Sequence, residues 1–359
     1  MNKASCGIGV STDWQRATSQ ALSTLSRDGN TAFLFVTDKL AHRAEEIRAM
    51  VVQETGVERL SGTVGMGVCA SQREIMHEPA VALLQLSLPL EHVCELRSTD
   101  ELANDEGSGV AFVHSDLKSA SIVTDRGGFE HRYVVGGLTA SRGPSVQFHR
   151  HGTEEGGITG LSMNANIRVH TGLTQGCQPI GPGHRVTGCS GVVVHSLDER
   201  PALDVLMEEA AGVIGSDLSQ LGRKVLVGIG IRDTDTNDFL ARNLLGVSEP
   251  RRAFAIGHPV RLGDTLWFAR LTAEAARDDM ARMLYRLNER SAGPPSAGVY
   301  YSCVARGSAL FGRSGAEVDL IQSILGPFPL VGLFGNGEFA HRYIHGHSGV
   351  LALFYEDNA

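Results

Sequence analysis

Gly298-Val-Tyr-Tyr-Ser302-Cys303-Val-Ala-Arg306-Gly307 and Pro329-Leu-Val-Gly-Leu-Phe-Gly335-Asn336-Gly337-Glu338-Phe339 decide how this chain reads. Each is a short apolar run that stops at a glycine-rich turn carrying polar side chains. The segment between them, Gly315-Ala-Glu-Val-Asp-Leu-Ile-Gln-Ser-Ile-Leu325, has helical character. A third cluster, His345-Gly-His347-Ser348-Gly349, follows. Strand, helix, strand is the unit of an α/β fold. A strand end fixes side chains in place, and glycine lets backbone approach a ligand closely, so the turns are site candidates.

Outward from there the same grammar recurs. Ala4–Val10 predicts a strand, and Ser11-Thr12-Asp13 supplies caps for a helix reaching about Ser26. Thr31–Val36 predicts a second strand and Leu40–Glu54 an amphipathic helix, with strands at 59–70 and 81–88. Glycine-rich strands are expected at 134–139, 158–164 and 167–173, and Gly62-Thr-Val-Gly echoes Gly136-Gly-Leu-Thr too coarsely to establish a repeat. Residues 97–109 and 232–237 read as polar loops. Gly176–Gly191, rich in Gly and Pro, is the expected junction; beyond it come a helix at 201–211, strands at 224–231 and 265–271, and a helix at 272–290.

A chain of 359 residues exceeds one ordinary core, so two domains are expected, 1–185 and 186–359. Each is expected as a mixed β-sheet flanked by helices, the two packed side by side. A net charge of −8 without a run of Lys/Arg gives no footprint for nucleic acid or an anionic membrane. No apolar stretch is long enough to insert in a membrane and Met1-Asn-Lys-Ala-Ser-Cys is no leader, so a cytoplasmic protein is expected. Six widely spaced cysteines without C-x-x-C read as free thiols.

Glu338, between Gly337 and Phe339, suits a ligand amine or cation, or local backbone N–H groups. Arg306 suits a ligand carboxylate, or a salt bridge to Glu338. Ser302, Asn336 and Cys303 share those turns. Cys303 reads as a small core residue or, with His345 or His347 as base, as a nucleophile. His149/His151 and His345/His347 share strand faces but lack further ligands for a fixed zinc. A haem with one axial histidine needs no motif and stays open; no other cofactor is indicated. Val227-Gly-Ile-Gly-Ile lacks the third glycine of a dinucleotide fingerprint.

The order Ser302-Cys-x-x-Arg306-Gly, Leu-Phe-Gly335, Asn336-Gly-Glu338 and His345-Gly-x-Ser348 resembles the C-terminal half of FIST proteins. Gln175-Gly-Cys177-Gln-Pro-Ile-Gly181 and Arg242-Asn-Leu-Leu-Gly246 agree, as do Leu60-Ser-Gly-Thr-Val-Gly-Met-Gly67, Arg73-Glu74 and Pro79-Ala-Val. The resemblance covers nearly the whole chain and implies a sensory module for a small ligand such as an amino acid, with haem as the ligand in one branch. It adds Gln175, Cys177 and Arg242 to the ligand-binding candidates. Phe339-Ala-His-Arg342 stands where the family pattern has Gly-Pro. The function expected is a small-ligand sensor with its pocket in an inter-domain cleft, signalling through a partner protein in trans. The alternatives are a haem-based gas sensor and a hydrolase using Cys303 or Glu338.

Overall fold

The computed structural model describes residues 4–98, 100–101, 108–120, 132–215, 220–231, 239–291 and 293–356. The loop expected at 232–237, and most of that at 97–109, lie outside them. The chain forms two compact units, Met1–Thr174 with Met280–Ala359, and Gln175–Asp279. The second interrupts the first in sequence.

The larger unit holds three six-stranded sheets of one design. The first runs Ala4–Val10, Ala80–Leu86, Thr31–Thr37, Arg59–Gly65, then the hairpin strands Val146–His149 and Gly152–Glu155. The second runs Val93–Leu96, Ile158–Asn164, Gly109–Ser115, Tyr133–Leu138, then Glu338–Ala340 and Tyr343–His345. The third runs Val169–Thr174, Gly349–Phe354, Ala297–Cys303, Leu330–Gly335, then Gly67–Ala70 and Arg73–Met76. In each sheet the third and fourth strands are parallel. The ladders on either side of that pair are antiparallel.

Three successive stretches of chain therefore build one motif three times: an edge strand, a parallel pair, a hairpin and a return strand. Helices Trp14–Leu22 and Ala44–Thr55 serve the first repeat, and residues 280–289 of helix Ala273–Glu289 with Ala316–Leu325 the third. The first of these starts on Asp13, whose carboxylate accepts from the N–H groups of Gln15 and Arg16. No repeat keeps its own hairpin. That of the first completes the third sheet, that of the second completes the first, and that of the third completes the second. One backbone bond recurs at each exchange: Met66 N to Phe334 O, Ala140 N to Val64 O and Asn336 N to Leu138 O, all 3.1 Å.

The equivalence extends to side chains. Gly62, Gly136 and Gly332 occupy one position, opposite Leu34, Val113 and Tyr300 in the parallel ladders. A Cβ there would lie 1.7 Å from Leu34 O, 1.8 Å from Val113 O and 2.5 Å from Tyr300 O, so only glycine fits. The faint sequence echo is this steric requirement met in two of the copies. One residue further along, Phe35 meets His114 and Tyr301 face to edge in the common core and those two rings tilt against each other, the centroids 5.4, 5.8 and 5.6 Å apart. His114 is fully buried; burial pulls its pKa down to about 3, so the ring is neutral and bonds Ser61 Oγ (2.8 Å) and Tyr301 OH (2.9 Å). The central apolar cluster draws on all three sheets, and further clusters lie on their other faces.

In the smaller unit the ladders are antiparallel. Thr265–Leu271 pairs with His184–Ser190 on one edge and Leu226–Gly230 on the other, so the sheet closes on itself through Val193–Leu197, Ala253–Ile256 and Phe239–Ser248. Helix Ala202–Ile214 packs Leu203, Leu206, Ala210 and Ile214 into its core with Val186, Val227 and Phe268.

The α/β class with mixed sheets and flanking helices is what forms, but the expected parting of the chain at 185/186 falls inside strand His184–Ser190. Glycine and proline at 176–191 read as a linker; here they serve strands Cys177–Pro179 and His184–Ser190 of the closed sheet. All six cysteines are free. Among the described residues no helix is long and apolar enough to cross a membrane.

Candidate functional site

The third repeat carries charge where its parallel strands end. Glu317, in the first turn of helix Ala316–Leu325, is the hub of a fully buried network. Its Oε1 accepts from Tyr300 OH (2.7 Å) and Arg306 Nε (2.8 Å). Its Oε2 accepts from Ser302 Oγ (3.0 Å) and Gly307 N (3.1 Å). Gly315, with φ of 78°, lets the chain turn sharply enough into the helix to bring Glu317 under the strand end. Arg306 lies over the Phe311 ring at 5.4 Å. Burial draws the guanidinium's pKa down, but the Glu317 carboxylate more than offsets this and keeps it firmly charged. The salt bridge anticipated between Arg306 and Glu338 is thus made with Glu317 instead.

Glu74 approaches from the first repeat's lent hairpin. Gly315 N donates to its Oε2 (3.0 Å) and Ser314 Oγ to its backbone O (2.9 Å). Burial, and then the Glu317 charge, push its carboxyl up to about 7. Folded protein therefore holds a proton on Glu74 that unfolded chain releases near pH 4.5, so this group's contribution to stability falls as pH rises from 4.5 to 7. Glu74→Gln keeps an acceptor for Gly315 and removes the titration. Above pH 7.5 it should gain about 1–3 kcal/mol over the parent and show no gain at pH 4. Urea unfolding at both values measures it; parallel pH profiles for the two proteins would exclude Glu74 as the group.

Glu338 sits opposite Gly137 in the lent hairpin and is fully buried. Ser348 Oγ donates to its Oε2, while Oε1 has no hydrogen-bond partner among the described residues. Burial raises its pKa well above the usual range; Ser348 and Arg306 oppose that shift and Glu317 reinforces it. Beside it, burial and then Glu338 push the Cys303 thiol up to about 12, against backbone N–H groups of Ala305 and His347 that favour the thiolate. A thiol so held is neutral, which weighs against Cys303 as a nucleophile. Asn336 is exposed, and its Nδ2 donates to Thr139 O at 3.2 Å, fixing the turn above Glu338.

Five of the eight candidates, Ser302, Cys303, Arg306, Asn336 and Glu338, thus gather at these strand ends. Gln175, Cys177 and Arg242 belong to the smaller unit. Gln175's side-chain amide, oriented to satisfy both groups, bridges Phe239 O (3.0 Å) and Ala241 N (3.1 Å), next to Arg242. Burial lowers the half-buried Arg242 to about 10, and it remains cationic at neutral pH. Cys177 is half-buried opposite Leu271. Sequence reasoning missed Glu317 and passed over Glu74 and Ser348, although the latter two stand inside motifs that carried the resemblance. Neither histidine pair builds a metal centre: among the described residues no group of three or more His, Cys, Asp or Glu is arranged to hold one.

A triplicated α/β body, interrupted in sequence by a closed antiparallel sheet, thus carries charge at one set of its strand ends. The chain belongs to the FIST family: the FIST N domain matches residues 30–200 and the FIST C domain 202–341. FIST domains are sensory domains of signal transduction. The uncharacterized protein Rv0628c of Mycobacterium tuberculosis is 28% identical over 98% of this chain and 99% of its own length. The uncharacterized protein Mb0898c of Mycobacterium bovis is 26% identical over 88% of each chain. The boundary between the two family domains falls inside the smaller structural unit.

Proposed function

We propose that this FIST protein is a receptor for a small metabolite, which the third repeat meets at Glu338, Ser348, Cys303 and the Asn336 turn. A separate signalling protein then reads the occupied state. One comparison within the molecule carries this reading. The place of Glu338 is taken by Gln147 and Val68 in the other two hairpins, and that of Cys303 by Thr37 and Asp116. Two copies of the motif therefore fold without a buried carboxylic acid there, and the third keeps one with an unsatisfied oxygen. Such an oxygen costs folding free energy, and groups retained against stability concentrate at functional sites. The carboxyl ends of parallel strands are also where open α/β sheets receive ligands.

Native mass spectrometry of the purified protein tests whether a small molecule accompanies it. Glu338→Gln preserves shape and removes the group's capacity to ionise against a ligand, so affinity for that molecule should fall by about 1.5–3 kcal/mol in titration calorimetry. Unchanged affinity would take Glu338 out of the site and leave the strand ends as scaffold.

A further inference from the structure

The balance of charge at the site defines the ligand further, on the reading of Glu338 as a receptor group. Three buried carboxyl groups converge there, Glu74 at 6% exposure and Glu317 and Glu338 at 0%, and the guanidinium buried among them is Arg306. That cation is engaged by Glu317. Glu74 and Glu338 each retain an oxygen without a hydrogen-bond partner among the described residues. Arg313, a cation acting on Glu74, is exposed and bonded to Asp319. The titratable neighbours of Glu338 are Cys303, Arg306 and Glu317, with His345 opposite it in the hairpin and His347 beside Ser348. In the turns around it Asn336 is exposed, and Val304, Ala305 and His347 are half-buried.

We propose that Glu338 receives the ammonium group of a small organic amine, and that the site has no place for a carboxylate. An anion entering here would meet carboxyl groups and a guanidinium already engaged, whereas an ammonium donates to the open oxygen of Glu338. A metal ion is the poorer occupant, because among the described residues no group of three His, Cys, Asp or Glu is arranged to hold one. Burial favours the protonated form of Glu338 in the empty site, and binding exchanges charges in balance. The ammonium enters, the carboxyl proton leaves to solvent, and the pair formed is carboxylate with ammonium. Affinity then rises about tenfold per pH unit while Glu338 is protonated in the empty protein.

The test uses the whole protein with methylammonium chloride, tetramethylammonium chloride and sodium acetate at matched ionic strength. Fragments of this size bind at best in the millimolar range, so each is titrated to about 100 mM at pH 6, 7 and 8. Methylammonium should raise the melting temperature and bind more tightly as pH rises. Calorimetry in two buffers of different ionisation heat should count one proton released. Tetramethylammonium, which cannot donate, and acetate should do neither. Glu338→Gln should abolish the pH dependence, and Ser348→Ala, which leaves the carboxyl in place, should retain it; the buffer comparison on the parent needs no variant. Preference for acetate or no response to methylammonium overturns the amine assignment, and binding without proton release overturns the proton exchange. If a co-purified anionic or neutral molecule is nevertheless lost in Glu338→Gln, the receptor reading stands. Equal methylammonium binding in the parent and Glu338→Gln overturns both.

Discussion

Arg306→Ala should destabilise the ligand-free protein by about 3–5 kcal/mol, the usual cost of removing one partner from a buried ion pair. The loss comes from what remains. Glu317 would be a fully buried carboxylate keeping Tyr300, Ser302 and Gly307 as donors but no counter-charge. Removing both charges together leaves no stranded ion, so Arg306→Met with Glu317→Gln should recover most of the deficit. Urea unfolding of the two single variants and the double variant closes the cycle. A loss below about 1 kcal/mol for Arg306→Ala would show that solvent relieves Glu317 and that the pair is not the keystone of this strand end. From sequence alone Arg306 reads as a ligand contact or a salt-bridge partner; a ligand contact alone would leave the empty protein stable, so the experiment separates the two roles directly.

Cleaving the chain near Gly183 should leave neither fragment, 1–183 or 184–359, with a cooperative melting transition. The cut removes the hairpin 67–76 from the third sheet and the hairpin 338–345 from the second. It also parts Val169–Thr174 from Gly349–Phe354. Each loss exposes an unpaired ladder edge and opens the central cluster, where Phe35, His114 and Tyr301 come from three different repeats. Co-expressed fragments should reassemble, because every missing partner is then supplied. Scanning calorimetry of the fragments, alone and mixed, decides; two independently folded halves would contradict the shared sheets.

Local structure was legible in the sequence because local chemistry specifies it. The strand read at Thr31–Val36 forms as Thr31–Thr37, and Asp13 caps the helix expected after it. The helix read at Leu40–Glu54 begins as a tighter turn, Asp38–Arg43, before the α-helix Ala44–Thr55. Which strands pair was not legible. Gly67–Ala70 joins Leu330–Gly335, more than two hundred residues away, and nothing local in either run names its partner. The candidate site was legible in its turns and not in its hub. Glu317 stands in the first turn of an amphipathic helix, where an acidic residue ordinarily complements the helix dipole in solvent. Only the depth of the Ser302–Gly307 turn beneath that helix makes it a buried acceptor.

The lending of hairpins also fixes the number of copies. Every motif is at once donor and recipient, and the chain of loans returns to its start after three steps, with no open end. A fourth motif would need an acceptor that does not exist, and deleting one would leave a sheet short. Such a body cannot grow or shrink by single duplications as open solenoids do. Variation must instead enter as substitution or insertion within a copy, as Gln175–Asp279 does in the third, between its edge strand Val169–Thr174 and Ala297–Cys303.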